Sequence, residues 1–175
     1  MLINHVFSLL TVVSAITIVI AGVYPIKYST VSQKSTLVWD GAAINAEFAV
    51  DDDLTTASHT KCAWNTDLWY KMKFDAVYCF SDVVIIQSHW DKWASRMDDT
   101  EVFVANSDTG DESLCGVLKV SDVLTIEGQT YRIPCDLKCG DEVKLAVRHD
   151  NGDYDKAACI HMKEVKAFHE GTFIM

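Results

Sequence analysis

The side chains best suited to chemistry lie in Ser88-His89-Trp90-Asp91-Lys92-Trp93-Ala94-Ser95-Arg96 and in Ser58-His59-Thr60 upstream. A carboxylate beside a guanidinium holds a planar fork of donors at one angle. An imidazole adds one donor and one acceptor. The indoles of Trp90 and Trp93 offer apolar faces that can cover one side of a small ring. Such a set suits recognition of a small polar ligand rather than covalent chemistry. The chain has no Gly-x-Ser-x-Gly elbow and no His-Glu-x-x-His pair. Its carboxylates are plentiful, but no spacing singles out a glycosidase-like pair. A non-catalytic protein is the expectation. The blander alternatives stay open: a lone histidine is ordinarily a surface imidazole, and both indoles can fill the base of a loop.

The elements that must position these residues read as strands. Val83 to Ile86 is a continuous β-branched run directly before the motif, the pattern of a strand covered on both faces. Tyr70, Met72 and Phe74 alternate with Trp69, Lys71 and Lys73, and Val143, Leu145 and Val147 alternate with Lys144, Ala146 and Arg148. Glu101 to Asn106, Gly116 to Val120, Gln129 to Pro134 and Glu164 to Phe168 are further strand candidates. Turn chemistry separates them at Asp108-Thr109-Gly110-Asp111, Glu127-Gly128, Cys139-Gly140-Asp141 and Asn151-Gly152-Asp153. Many short strands with few helices predict an all-β antiparallel sandwich or jelly roll. The tail, Glu170 to Met175, is expected to be loosely held.

The chain opens on an apolar run, Val6 to Ile20, followed by Ala21 and Gly22. Residues 1–21 therefore read as a signal peptide cut after Ala21, with an uncleaved anchor as the alternative. The run is short for a membrane span, and no second one follows. Residues 23–175 suit a single domain. A formal net charge of −10 argues against nucleic acid, whose phosphates demand clustered Lys and Arg. The six cysteines behind a signal peptide read as disulfides of an oxidising, extracellular compartment, though spacing alone does not fix their pairing. Zinc is the weaker reading, since no Cys-x-x-Cys pair exists.

In order and spacing, several fragments resemble the F-type lectin (fucolectin) family, a branch of the galactose-binding-like sandwiches that include the discoidin domains. Val31-Ser32-Gln33-Lys34-Ser35-Thr36 resembles its opening strand. Gly41-Ala42-Ala43 and Ala49-Val50-Asp51-Asp52 resemble its "GAA…AVDG" segment, Ser58-His59-Thr60 its "SHT", and Trp69-Tyr70-Lys71-Met72 its "WWRV". Ser88 to Arg96 resembles the motif R-x-D-x4-R, with His89 standing where the first Arg belongs. The resemblance covers nearly the whole chain after residue 22.

It implies binding of terminal fucose or a related sugar by His59, Asp91 and Arg96, with Asp91 orienting the guanidinium. His89 offers one donor where guanidinium offers five. If it replaces an arginine, its protonated form is the better mimic, and binding strengthens as pH falls through about 6.5. Lys92 and Trp93 stand where the family has adjacent cysteines that pack on the sugar, so Trp93 or Trp90 is the expected apolar platform. The resemblance also implies calcium on oxygens of Asp51, Asp53 and Thr56, the alternative being a solvated turn. The family's glutamate directly after the last cysteine is missing, because Ile160 follows Cys159 and Glu164 lies farther on. By the same resemblance Cys115 pairs with Cys135 and a displaced Cys62 reaches Cys159; Cys79 and Cys139 are then left as an additional pair.

The sequence therefore points to a secreted carbohydrate-binding protein, with fucosylated glycans or a glycoprotein as partner and self-association as a route to avidity. The alternative is a secreted interaction or adhesion module that kept the sandwich and lost sugar recognition.

Overall fold

The computed structural model describes residues 19–88, 91–120, 129–149 and 157–174. Among them the ordered elements are antiparallel strands and two 3-10 turns, Ala46–Ala49 and Asp91–Met97. No described helix is long and apolar enough to cross a membrane.

Two long strands organise the molecule. The runs predicted at Tyr70–Phe74 and Val83–Ile86 are the two ends of one strand, β6, which spans Leu68–Gln87. The runs at 129–134 and 143–147 likewise belong to one strand, β9 (Thr130–Val147). In chain order the preceding strands are β1 (Val19–Pro25), β2 (Thr30–Gln33), the hairpin pair β3 (Leu37–Trp39) and β4 (Ala42–Ile44), and the short β5 (Ser58–His59). Between and after the long strands come β7 (Thr100–Ala105), β8 (Glu112–Leu118) and β10 (His161–Ile174).

The first half of β6 pairs with β2 and with the second half of β9, and β7 and β8 extend that layer. Its second half pairs with β10 and with the first half of β9, and β10 carries β1 and β5. Both long strands thus pass from one layer of a sandwich into the other.

The register explains how one strand serves both layers. Leu68, Tyr70, Met72, Phe74 and Phe80 are buried on even numbers, whereas Val83, Ile85 and Gln87 are buried on odd ones. Against β10 the ladder shifts between Phe80 and Asp82, which face the consecutive residues His169 and Phe168. One extra residue sends every later side chain to the opposite face, which keeps the apolar set inward. Tyr70 and Met72 from one layer and Ile85 and Val165 from the other join a single core.

Several expectations are corrected. Val83 to Ile86 is not covered on both faces: Val83 and Ile85 are buried, but Val84 and Ile86 are only half-buried. Cys139-Gly140-Asp141 is no turn. Cys139 faces Cys79 and Gly140 faces Tyr78 in the β6–β9 ladder. A Cβ on Gly140 would collide with the Ala105 carbonyl, so glycine is there for close approach rather than for turning. The tail is paired up to Ile174, because β1 supplies its ladder partner. The turns at Glu127-Gly128 and Asn151-Gly152-Asp153 lie outside the described residues.

The disulfides are Cys62–Cys159, Cys79–Cys139 and Cys115–Cys135, the three pairs expected. Cys115–Cys135 joins β8 to β9, and Cys79–Cys139 lies on the solvent side where β6 and β9 change layers.

Candidate functional site

Three segments meet at one place. The first is residues 58–63, antiparallel to residues 158–162. His59 faces His161, Thr60 donates its N–H to the Ile160 carbonyl at 2.9 Å, and Ala63 bridges Ala158. Between the last two pairs the Cys62–Cys159 disulfide closes the ladder. The third segment is the Asp91–Met97 turn after β6. Gln87 Nε2 donates to the Ala94 carbonyl at 3.2 Å, and the Cys159 N–H donates to the Arg96 carbonyl at 3.2 Å. One side-chain and one backbone bond thus hold the turn and Arg96 against the disulfide.

The side chains follow. Arg96 Nη1 lies 3.6 Å from Cys62 Sγ. A ring nitrogen of His59 and both sulfurs lie within 4.8 Å of one another. A metal needs thiolate, and these sulfurs are bonded to each other, so the contact is between an imidazole and a disulfide. The His59 ring stacks on His161 with centroids 5.3 Å apart and planes 25° apart. Its Nδ1 lies 2.5 Å from the Thr60 carbonyl. A carbonyl only accepts, so Nδ1 carries the proton and neutral His59 keeps Nε2 as an acceptor. Burial holds the His59 pKa below its ordinary value; the Thr60 bond opposes this, and the Arg96 charge adds to the lowering.

His59 and Arg96, distant along the chain, therefore converge. Arg96 is only 7% exposed, while His59 and Cys62 are half-buried. Asp91 and Trp93 are placed through their backbone, in the same turn as Arg96. His89 and Trp90 lie outside the described residues. Sequence reasoning missed two contributors. His161 carries no motif signal of its own. The Cys62–Cys159 bridge was anticipated as a pairing but not as a wall of the site.

A second cluster lies at the acidic loop. Thr56 Oγ1 is 2.8 Å from Asp51 Oδ2, 2.9 Å from the Asp53 carbonyl oxygen and 3.3 Å from that of Phe48. One hydroxyl proton cannot serve three acceptors at once. Glu164, set apart at the sequence level as part of the final strand, comes to this loop because β10 runs beneath it. Its carboxylate accepts the Asp52 N–H. The residue is 2% exposed, and Oε2 has no hydrogen-bond partner. Burial, with Asp52 and Asp51 nearby, raises its pKa to about 7 against the pull of Lys166. Lys166 itself pairs with Asp52 at 2.5 Å. Asp53 turns inward to the loop, where Oδ1 accepts from the Thr55 amide at 2.9 Å and from its hydroxyl at 2.6 Å.

No family model matches the sequence, and neither does any curated protein. Solved structures do match in shape. An F-lectin (fucolectin) from striped bass (Morone saxatilis) serum superposes with a TM-score of 0.62 at 16% identity, over 82% of this chain and 46% of that one. The chain thus spans about half the length of the fish lectin. A Streptococcus pneumoniae fucose binding module gives 0.64 at 17% identity, over 83% of this chain and 95% of that module. The family 32 carbohydrate-binding module of Clostridium perfringens NanJ, solved with galactose, gives 0.62 at 17%, over 84% and 99%. The expected architecture is therefore observed: the chain has the galactose-binding-like antiparallel β-sandwich fold that these modules share.

Proposed function

We propose that this chain is a secreted, non-catalytic glycan-binding protein that takes terminal fucose or a related sugar at the mouth formed by residues 58–63, 91–97 and 158–162. The observation that carries this reading is the convergence of His59 and Arg96 on one disulfide. In this reading Arg96 donates to a ring or hydroxyl oxygen, and neutral His59 accepts from a hydroxyl through Nε2. Asp91 steers the guanidinium, and Trp90, Trp93 or the disulfide covers the apolar face of the sugar. The fucose- and galactose-binding structures that share the fold support the ligand class. Secretion agrees with the three disulfides; removal of residues 1–21 would take Val19 to Ala21 from β1 and leave Thr172 to Ile174 of β10 without their ladder partners.

Calcium belongs to the same proposal. The carbonyls of Phe48 and Asp53, Asp51 Oδ2, Thr56 Oγ1 and the buried Glu164 Oε2 are hard oxygen donors with too few protons among them. When bound, the ion would supply positive charge to acceptors of this loop beyond the one that Lys166 gives Asp52. The chain's own part is to tie residues 48–56 to β10 through Glu164.

The depth of Arg96 favours the second reading, an interaction or adhesion module without sugar binding, in which the guanidinium serves the fold. Titration calorimetry with L-fucose, galactose and fucosylated oligosaccharides decides between them. Saturable binding that weakens at least tenfold in Arg96→Lys, with the melting temperature kept, supports the glycan reading. A folded wild-type protein that binds none of these sugars overturns it.

A further inference from the structure

We infer that His161 is a positioning residue for the proposed glycan site, holding two ligand-bearing segments from behind; this rests on the glycan reading above. His161 is 2% exposed and opens β10. It makes two different contacts with two different parts of the chain. Its ring face stacks on His59, the strand neighbour it faces across the β5–β10 ladder. Its Nδ1 lies 2.7 Å from Ser88 Oγ, and Ser88 is itself only 6% exposed. Ser88 is the last described residue before the segment that leads to Asp91 and Arg96.

The two contacts do separable jobs. The hydrogen bond anchors the point where β6 hands the chain to the Asp91–Met97 turn. Gln87, the residue before it, anchors the far side of that turn through the Ala94 carbonyl. The stacked ring shields one face of His59 from water. The groups facing His59 are then Arg96, His161, the uncharged Cys62–Cys159 bridge and the Thr60 carbonyl. In this role His161 acts on the ligand through His59 and Ser88.

Two substitutions split the contacts. His161→Phe keeps an aromatic face against His59 and gives up the bond to Ser88. His161→Asn keeps a polar atom for Ser88 and gives up the ring. In His161→Phe, affinity for a fucosylated oligosaccharide is expected to fall about tenfold, the scale for one buried hydrogen bond lost. Ser88→Ala is expected to reproduce that loss, and the double variant to lose no more than either single one. His161→Asn should keep most of the affinity lost in His161→Phe. In the unliganded protein its His59 ring, followed by NMR, should titrate at higher pH than in wild type, toward about 6.5, because water regains the ring.

Wild-type affinity in both His161→Phe and Ser88→Ala overturns the inference. So do losses that simply add in the double variant and track the drop in melting temperature. If the wild-type protein binds no sugar, the glycan reading falls by itself. The positioning role is then judged on the His59 titration, and an unmoved midpoint in His161→Asn sinks it.

Discussion

Arg96 is held by the bridge of Cys62 at both ends: its guanidinium lies 3.6 Å from Cys62 Sγ, and its carbonyl accepts the N–H of Cys159, the bonded partner. Opening this bridge should harm the site as well as the fold. In Cys62→Ser/Cys159→Ser the expected loss is about 2–5 kcal/mol of stability, with a fall in sugar affinity beyond what partial unfolding explains. Cys79→Ser/Cys139→Ser is the control. That pair joins solvent-facing positions where β6 and β9 change layers. It should lower the urea midpoint yet leave the affinity of the folded fraction within about twofold. Equal loss of binding in both variants would contradict the local role of Cys62–Cys159.

Acid should weaken both folding and binding through His59. Its pKa is lowered in the folded chain by burial first and by Arg96 next. Below about pH 6.5 the unfolded chain takes up a proton that the folded chain refuses. The stability this group contributes is therefore complete above that pH and is lost as pH falls toward the lowered folded value. Melting temperatures between pH 7.5 and 5 should drop less in His59→Gln than in wild type. Protonation also removes the Nε2 acceptor, so sugar affinity should fall over the same range. A protonated His89 in place of an arginine predicts the opposite slope, and His89→Ala tells the two apart.

The acidic loop offers a test by metal. Adding calcium to chelator-treated protein should raise the melting temperature, by an amount that grows with the logarithm of ion concentration once the site is filled. Glu164→Gln should remove most of that rise, because it neutralises the buried acid whose Oε2 has no protein partner. Lys166→Met should increase calcium affinity, since it removes a competing cation from beside Glu164 and the acidic loop. A calcium response that is the same in all three proteins would place the ion elsewhere.

Gly140 gives a test of packing alone. It lies buried in β9, with the Ala105 backbone where a Cβ would stand. Gly140→Ala should cost about 1–3 kcal/mol, as overpacking does when the obstacle is backbone. A urea midpoint within error of wild type would show that β7 and β9 can separate to make room.

Period-two alternation made the half-buried ends of β6 and β9 legible, because one face of each meets the core and the other meets water. Their continuity was not legible. Asp75, Ala76 and Val77 are exposed on both faces, so no alternation marks that stretch as strand, yet the ladder resumes at Tyr78 opposite Gly140. The convergence of His59 with Arg96 followed from motif resemblance rather than from any local pattern. His161 was hidden because burial and a bond to Ser88 leave no trace in residue type. Glu164 was set aside on its spacing from Cys159, and only the path of β10 under Asp52 brings it to the loop.

Because β6 and β9 each run through both layers, neither layer can melt while the other survives. Cutting the chain between them would part β6 from both β9 and β10, its longest ladder partners. Unfolding should then be all-or-none, with slow exchange of amide protons shared by the two faces of the molecule. A glycan gripping one rim would be felt at the opposite rim as added rigidity, without any part having to move.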